Sequence, residues 1–242
     1  MGFTAIDWLG FVWFMAAWVS YEPMTRRIGR RRHLINSAMA GVRRAWMEAM
    51  LARENRMPDA ALIGHVMRSA SFFASTTVLV IAALFGALGN IDRIEAAILT
   101  LTGTAPIRPA LDLKLALILV IVVRGFLTLT WAIRQFNYLA ALIGAAPPAP
   151  VDSALGRELA ADLGEMLSLA AAAFNGGIRA YYFALAGLTW LVSPVLFMLS
   201  TTAVILLLLR RQTGSRVAHA IRRIEDRRAC PEAPDDAGTQ AR

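Results

Sequence analysis

Arg124 is the residue least expected where it stands, in the apolar run LILVIVVRGFLTLTW. In the middle of a membrane helix an arginine costs about 3 kcal/mol on insertion scales, so it requires an interior position and a partner. Two chemistries satisfy that requirement. One is a buried ion pair with Asp162 or Glu165 that fixes helix register; the other is a guanidinium lining the path of a small anion. Arg179 is the second candidate, because it follows the turn signal Asn175-Gly176-Gly177 in FNGGIRAYY and is either an interfacial anchor or a site residue. Two hydroxyl clusters, Ser75, Thr76, Thr77 and Ser200, Thr201, Thr202, repeat the triplet STT. Such residues bond back to the i−4 carbonyl or across helices, or they line a pore.

Other chemistries lack their residues. Cys230 is the single cysteine, which excludes an intramolecular disulfide and a CxxC site; His33, His65 and His219 stand too far apart for metal-ligand spacing. No nucleophile stands beside a base, and there is no phosphate loop, so neither an enzyme nor a bound cofactor or metal is expected. Nothing calls for a nucleic-acid partner.

The elements that must position these residues are membrane helices. The 242-residue chain is 57% hydrophobic with a mean hydropathy of +0.52, a composition foreign to soluble domains. A span needs about 20 apolar residues. Four segments supply them, at about 3–21, 72–89, 113–133 and 183–209. The expected fold is therefore all-α, a polytopic transmembrane bundle occupying residues 1–228, followed by a disordered polar tail, 229–242. The N-terminus lacks a signal-peptide cleavage pattern and reads as a retained first span.

Charge then sets the threading. Lys114 is the only lysine, and arginine supplies the other 24 of 25 basic residues. Ten of them lie between Arg26 and Arg68, in the connector 22–68, where Leu34, Ala38, Val42, Ala45, Trp46 and Ala49 fall at helical spacing. That segment reads as an amphipathic helix on the membrane or on a partner helix, with Arg43, Arg44 and Arg53 as lipid or partner contacts, or as a hairpin packed beneath the spans. Seven more arginines follow between Arg210 and Arg228. Both basic regions belong on the cytoplasmic side by the positive-inside rule. Four crossings would separate them, so the weakly apolar segment 158–182 is expected to be a marginal fifth span or a re-entrant segment that turns at the Asn-Gly-Gly sequence. The rival arrangement has four spans, with 158–182 as an interfacial helix.

Taken together, RRAWMEAMLARENRMPDAALIG, SASFFASTTVLVIAALFGALG, RQFNYLAALIGAAP and FNGGIRAYYFALAGLTWLVSP resemble a family of bacterial and plant integral membrane proteins known only as a domain of unknown function. The likeness covers roughly Asp7 to Arg223. It implies a multi-helix membrane fold and supplies no activity or catalytic residues. Two readings follow, a homo-oligomeric small-anion channel or transporter, or a non-catalytic accessory subunit of a larger membrane complex that binds anionic lipid. Anionic lipids, and either further copies of the chain or another membrane protein, are the expected partners, and the bacterial cytoplasmic membrane is the expected location.

Overall fold

Prolines mark the starts of three helices, because a proline has no N–H to donate and is best accommodated in the first turn; Pro23, inside the first helix, is the exception. The computed structural model describes residues 4–31, 35–103, 106–148, 154–213, 219–221 and 223–224. Its elements are α1 (Ala5–Arg31), α2 (Ile35–Leu51), α3 (Met57–Gly89), α4 (Ile91–Thr102), α5 (Arg108–Ala145), α6 (Ala154–Leu188), a 3-10 turn over Thr189–Leu191, and α7 (Pro194–Thr213). Pro58 and Pro109 stand in the first turns of α3 and α5, and α7 begins on Pro194. At the end of α5, Ala146 is extended (φ −64°, ψ 142°), as the residue before a proline must be. The all-helical expectation holds among the described residues. The tail 229–242, with Cys230, lies outside them.

Three helices are long and apolar enough to cross a membrane, Met57–Gly89, Arg108–Ala145 and Pro194–Gln212. Their outward residues are large and apolar, among them Phe72, Leu79, Phe85, Leu199 and Leu206, all more than half exposed. An apolar surface of that extent belongs in lipid, and the chain is a membrane protein. The segment 3–21, expected as the first span, lies in α1, which is not one of these three. The expected span 183–209 is not one helix: residues 183–188 complete α6, the 3-10 turn follows, and α7 starts afresh. Pro194 is the cause, since its ring and missing N–H prevent the helix from running through.

The Asn-Gly-Gly sequence corrects a second expectation. Asn175, Gly176 and Gly177 lie inside the continuous helix α6, and the chain turns twelve residues later, at Thr189–Leu191. What the glycines supply is close approach. A Cβ on Gly177 would stand 2.4 Å from Leu129 Cγ, and one on Gly125 would stand 2.8 Å from Ala180 Cβ. Small residues facing each other let α5 and α6 pack backbone to backbone, the usual way membrane helices associate.

The antiparallel pair α5 and α6 forms the centre, with α3 on α5, α2 on α6, and α1 paired with α7. At 38 residues α5 is about 57 Å long, well beyond a hydrocarbon core of about 30 Å. The surplus builds a cap at one end. There Met47, Met50 and Leu51 of α2 pack with Ile63, Phe136, Leu139, Ile143 and Leu163. Gly164 lets α2 approach so closely that a Cβ there would meet Arg44 Cα at 2.8 Å. Arg56 closes the cap by donating to the carbonyls of Leu51, Ala146 and Pro147.

A second core joins Phe14, Tyr21, Phe183, Trp190 and Phe197 of α1, α6, the 3-10 turn and α7. The C-terminal ends of α1 and α7 meet, where Gln212 Nε2 donates to the Tyr21 hydroxyl (3.2 Å). The start of the arginine-rich connector and the start of the basic tail therefore lie at one end of the bundle.

Candidate functional site

On α5, Arg124, Thr128, Trp131 and Gln135 recur at i, i+4, i+7 and i+11, which places them on one helix face. That face meets Trp18 and Glu22 of α1 and Arg179 of α6 around a cavity of about 440 Å³. Gly125 and Gly176 also line it, and their missing side chains leave the space open.

The charges in the cavity do not balance. Arg179 Nη2 is 3.7 Å from Glu22 Oε2, and its guanidinium stands 5.1 Å from the centre of the Tyr21 ring. Arg124 lies over Trp18, 5.9 Å from the ring centre, and no carboxylate among the described residues is within ion-pair distance of it. Two guanidinium groups thus line the cavity with one carboxylate, and that carboxylate pairs with Arg179. Gln135 adds an unmet polar atom, because its Oε1 is buried without a hydrogen-bond partner. The arrangement offers an anion guanidinium donors from two helices, Arg124 of α5 and Arg179 of α6.

Of the acids expected to pair with Arg124, neither does. Asp162 and Glu165 are exposed on α6. Gly177 is the residue opposite Gly125, so Glu165 lies about 18 Å further along the axis. Asn175 is exposed and stands outside the cavity wall. Arg124 and Arg179, named separately in the sequence, are brought together.

The hydroxyl clusters mostly bond within their helices. Thr76 donates to Phe72 O, Thr77 to Phe73 O, Thr201 to Phe197 O and Thr202 to Met198 O. Three also link elements: Thr77 shares a 2.5 Å hydrogen bond with the Tyr181 hydroxyl, Ser200 shares one of 2.8 Å with Thr189, and Thr202 accepts from Trp13 Nε1 (3.2 Å). Ser75 is exposed. None of the six lines the cavity.

Arg43, Arg44 and Arg53 of the connector are engaged within the chain. Arg53 donates to Asp59 Oδ1 (2.7 Å), which also accepts from Trp46 Nε1 (2.6 Å). Arg44 pairs with Glu48 (3.1 Å) on the exposed side of α2. Arg43 reaches Ser168 (3.5 Å), and burial pushes its guanidinium below the ordinary arginine value.

At the opposite end from the cap is a polar cluster that the spacing of residues did not reveal. Lys114 Nζ is 3.0 Å from Asp7 Oδ1 and donates to Trp190 O (3.1 Å), while Trp190 Nε1 donates to Asp7 Oδ1 (2.9 Å). Thr4 Oγ1 caps the other carboxylate oxygen (2.7 Å). The signal was the only lysine, near the start of an apolar helix, and a lone acid in the first apolar segment. With every partner satisfied, this cluster fastens α1, α5 and the 3-10 turn together and offers no open ligand position.

No curated protein and no solved structure matches the chain. The family match agrees with the all-helical, membrane-embedded architecture described above and extends over residues 9–217, so the chain belongs to the DUF599 family, proteins of unknown function.

Proposed function

We propose that the protein binds an anion in the cavity between α1, α5 and α6, and that this is the binding step of a small-anion channel or transporter acting as a homo-oligomer. The observation that carries this reading is Arg124, a permanently charged group in an apolar helix, set in a cavity with Arg179 and without a carboxylate of its own. An entering oxyanion takes bidentate hydrogen bonds from Arg124 and competes with Glu22 for Arg179. The arginine-rich end of the bundle is placed on the cytoplasmic side by the positive-inside rule. The accessory-subunit reading draws less support, because the apolar face of α2 that would contact a partner is covered by α6.

The test is flux of phosphate, nitrate and chloride across liposomes containing the purified protein, with Arg124→Gln as the comparison. Loss of one charge-assisted contact of about 1.5–3 kcal/mol should reduce affinity tenfold or more. Equal flux and equal affinity in the wild type and the variant would sink the proposal.

A further inference from the structure

A second cavity, of about 320 Å³, lies along the same two helices. Its walls are entirely apolar or aromatic: Trp8 and Phe11 of α1, Leu113, Leu117 and Val120 of α5, and Trp190 at its end. On α5 its residues and those of the arginine cavity form one stripe, 113, 117, 120, 124, 128, 131, 135, advancing three or four residues at a time. On α1 the positions 8, 11, 18 and 22 fall on one face in the same way. Val120 and Arg124 are one helical turn apart. The two cavities are therefore the apolar and charged halves of a single groove between α1 and α5.

We infer that this groove holds an anionic phospholipid, its phosphate between Arg124 and Arg179 and one acyl chain lying along α5 from Val120 toward Leu113. The inference rests on the anion-binding reading and names the anion's class. Two observations converge on it. The charged half carries two guanidinium groups against one carboxylate. The apolar half begins one turn from the charged half and extends from Val120 to Leu113, seven residues and about 10 Å, room for the headgroup-proximal half of an extended acyl chain. A free phosphate ester would leave that half without use. A zwitterionic lipid would bring its own cationic group up against the two guanidinium groups.

The test is native mass spectrometry of the full chain in detergent, titrated with dilauroyl phosphatidylglycerol, dilauroyl phosphatidylcholine and glycerol 3-phosphate. Phosphatidylglycerol should bind at least tenfold more tightly than either other probe, a difference of about 1.4 kcal/mol or more. Arg124→Gln should remove its preference over phosphatidylcholine. Ala116→Trp and Val120→Trp, which fill the apolar half, should weaken phosphatidylglycerol at least fivefold and leave glycerol 3-phosphate unchanged. Val120 is 57% exposed, so a larger side chain there is accommodated even if the Ala116 variant fails to fold. If both filled variants bind phosphatidylglycerol like the wild type, or glycerol 3-phosphate binds as tightly as the lipid, the chain site is refuted and the anion site stands. If Arg124→Gln and Arg179→Gln bind every probe like the wild type, the anion reading falls as well.

Discussion

Replacing Lys114 by methionine isolates what the Asp7 cluster contributes. Asp7 and Lys114 have side chains 10% and 14% exposed and stand 3.0 Å apart. Removing one member of a buried ion pair costs about 3–5 kcal/mol because the other charge stays behind. In Lys114→Met, Asp7 keeps Trp190 Nε1 at 2.9 Å and Thr4 Oγ1 at 2.7 Å, so the cost should fall at the low end, about 3 kcal/mol. In Asp7→Asn the amide oxygen still accepts from Trp190, and Lys114 keeps the Trp190 carbonyl at 3.1 Å and the ring at 5.2 Å. A loss of about 2 kcal/mol is expected there. The double variant leaves no unpaired charge and should lose about 2–3 kcal/mol, well short of additivity, which corresponds to a coupling of about 2 kcal/mol. Unfolding in mixed detergent micelles, followed by tryptophan fluorescence, measures all three. Additivity within about 0.5 kcal/mol would refute the claim that the two charges act as a pair.

Two further predictions concern packing and threading. Gly177→Val should destabilise by about 1–3 kcal/mol, because its side chain meets Leu129, whereas Gly176→Ala, with its nearest neighbour at 3.3 Å, should change stability by less than about 1 kcal/mol; equal losses at both positions in the same unfolding assay would instead mark a turn. For threading, a cysteine replacing exposed Glu54 in a Cys230→Ser background should react with an impermeant maleimide from the same side of sealed vesicles as native Cys230, and one replacing Arg93 should react from the opposite side. Labelling of the Glu54 and Arg93 positions from one side would overturn the arrangement of α3.

Helical class and the apolar bundle were legible in the sequence, since runs of apolar residues report burial in lipid whatever packs against them. The break before α7 was not, although Pro194 was in plain view. In a membrane helix a proline kinks as readily as it terminates. The outcome depended on Thr189 and Ser200, whose hydroxyls meet across the break at 2.8 Å, a contact between elements. Asn-Gly-Gly misled for a related reason. A glycine pair is a turn signal where the backbone needs conformational freedom, and a packing signal where a neighbouring backbone needs space; only Leu129 and Gly125 on another helix decide between them. The cavity was half legible. Arg124 and the spacing of Thr128, Trp131 and Gln135 are local facts, but Arg179 comes from α6, whose register with α5 those same glycines fix, and Trp18 and Glu22 come from α1.

The register bears directly on what Arg124 is for. Had Asp162 or Glu165 stood opposite it, the arginine would be a structural ion pair and nothing more. Instead α5 and α6 align Gly125 with Gly177, which carries Glu165 about three turns and Asp162 about four turns away from Arg124. The protein's own contribution to Arg124 is the face of Trp18 at 5.9 Å, worth about 0.5–2 kcal/mol against an insertion cost of about 3 kcal/mol. The deficit is largest with the cavity dry and shrinks when water or an anion enters. Of the two, only an anion also supplies the second negative charge that the cavity's two guanidinium groups lack beside Glu22. An Arg124→Met variant that is more stable than the wild type in neutral lipid, and loses that advantage when anionic lipid is added, is the expected outcome. A variant less stable than the wild type in both lipids would mean that Trp18 alone compensates the charge, and would return Arg124 to a purely structural role.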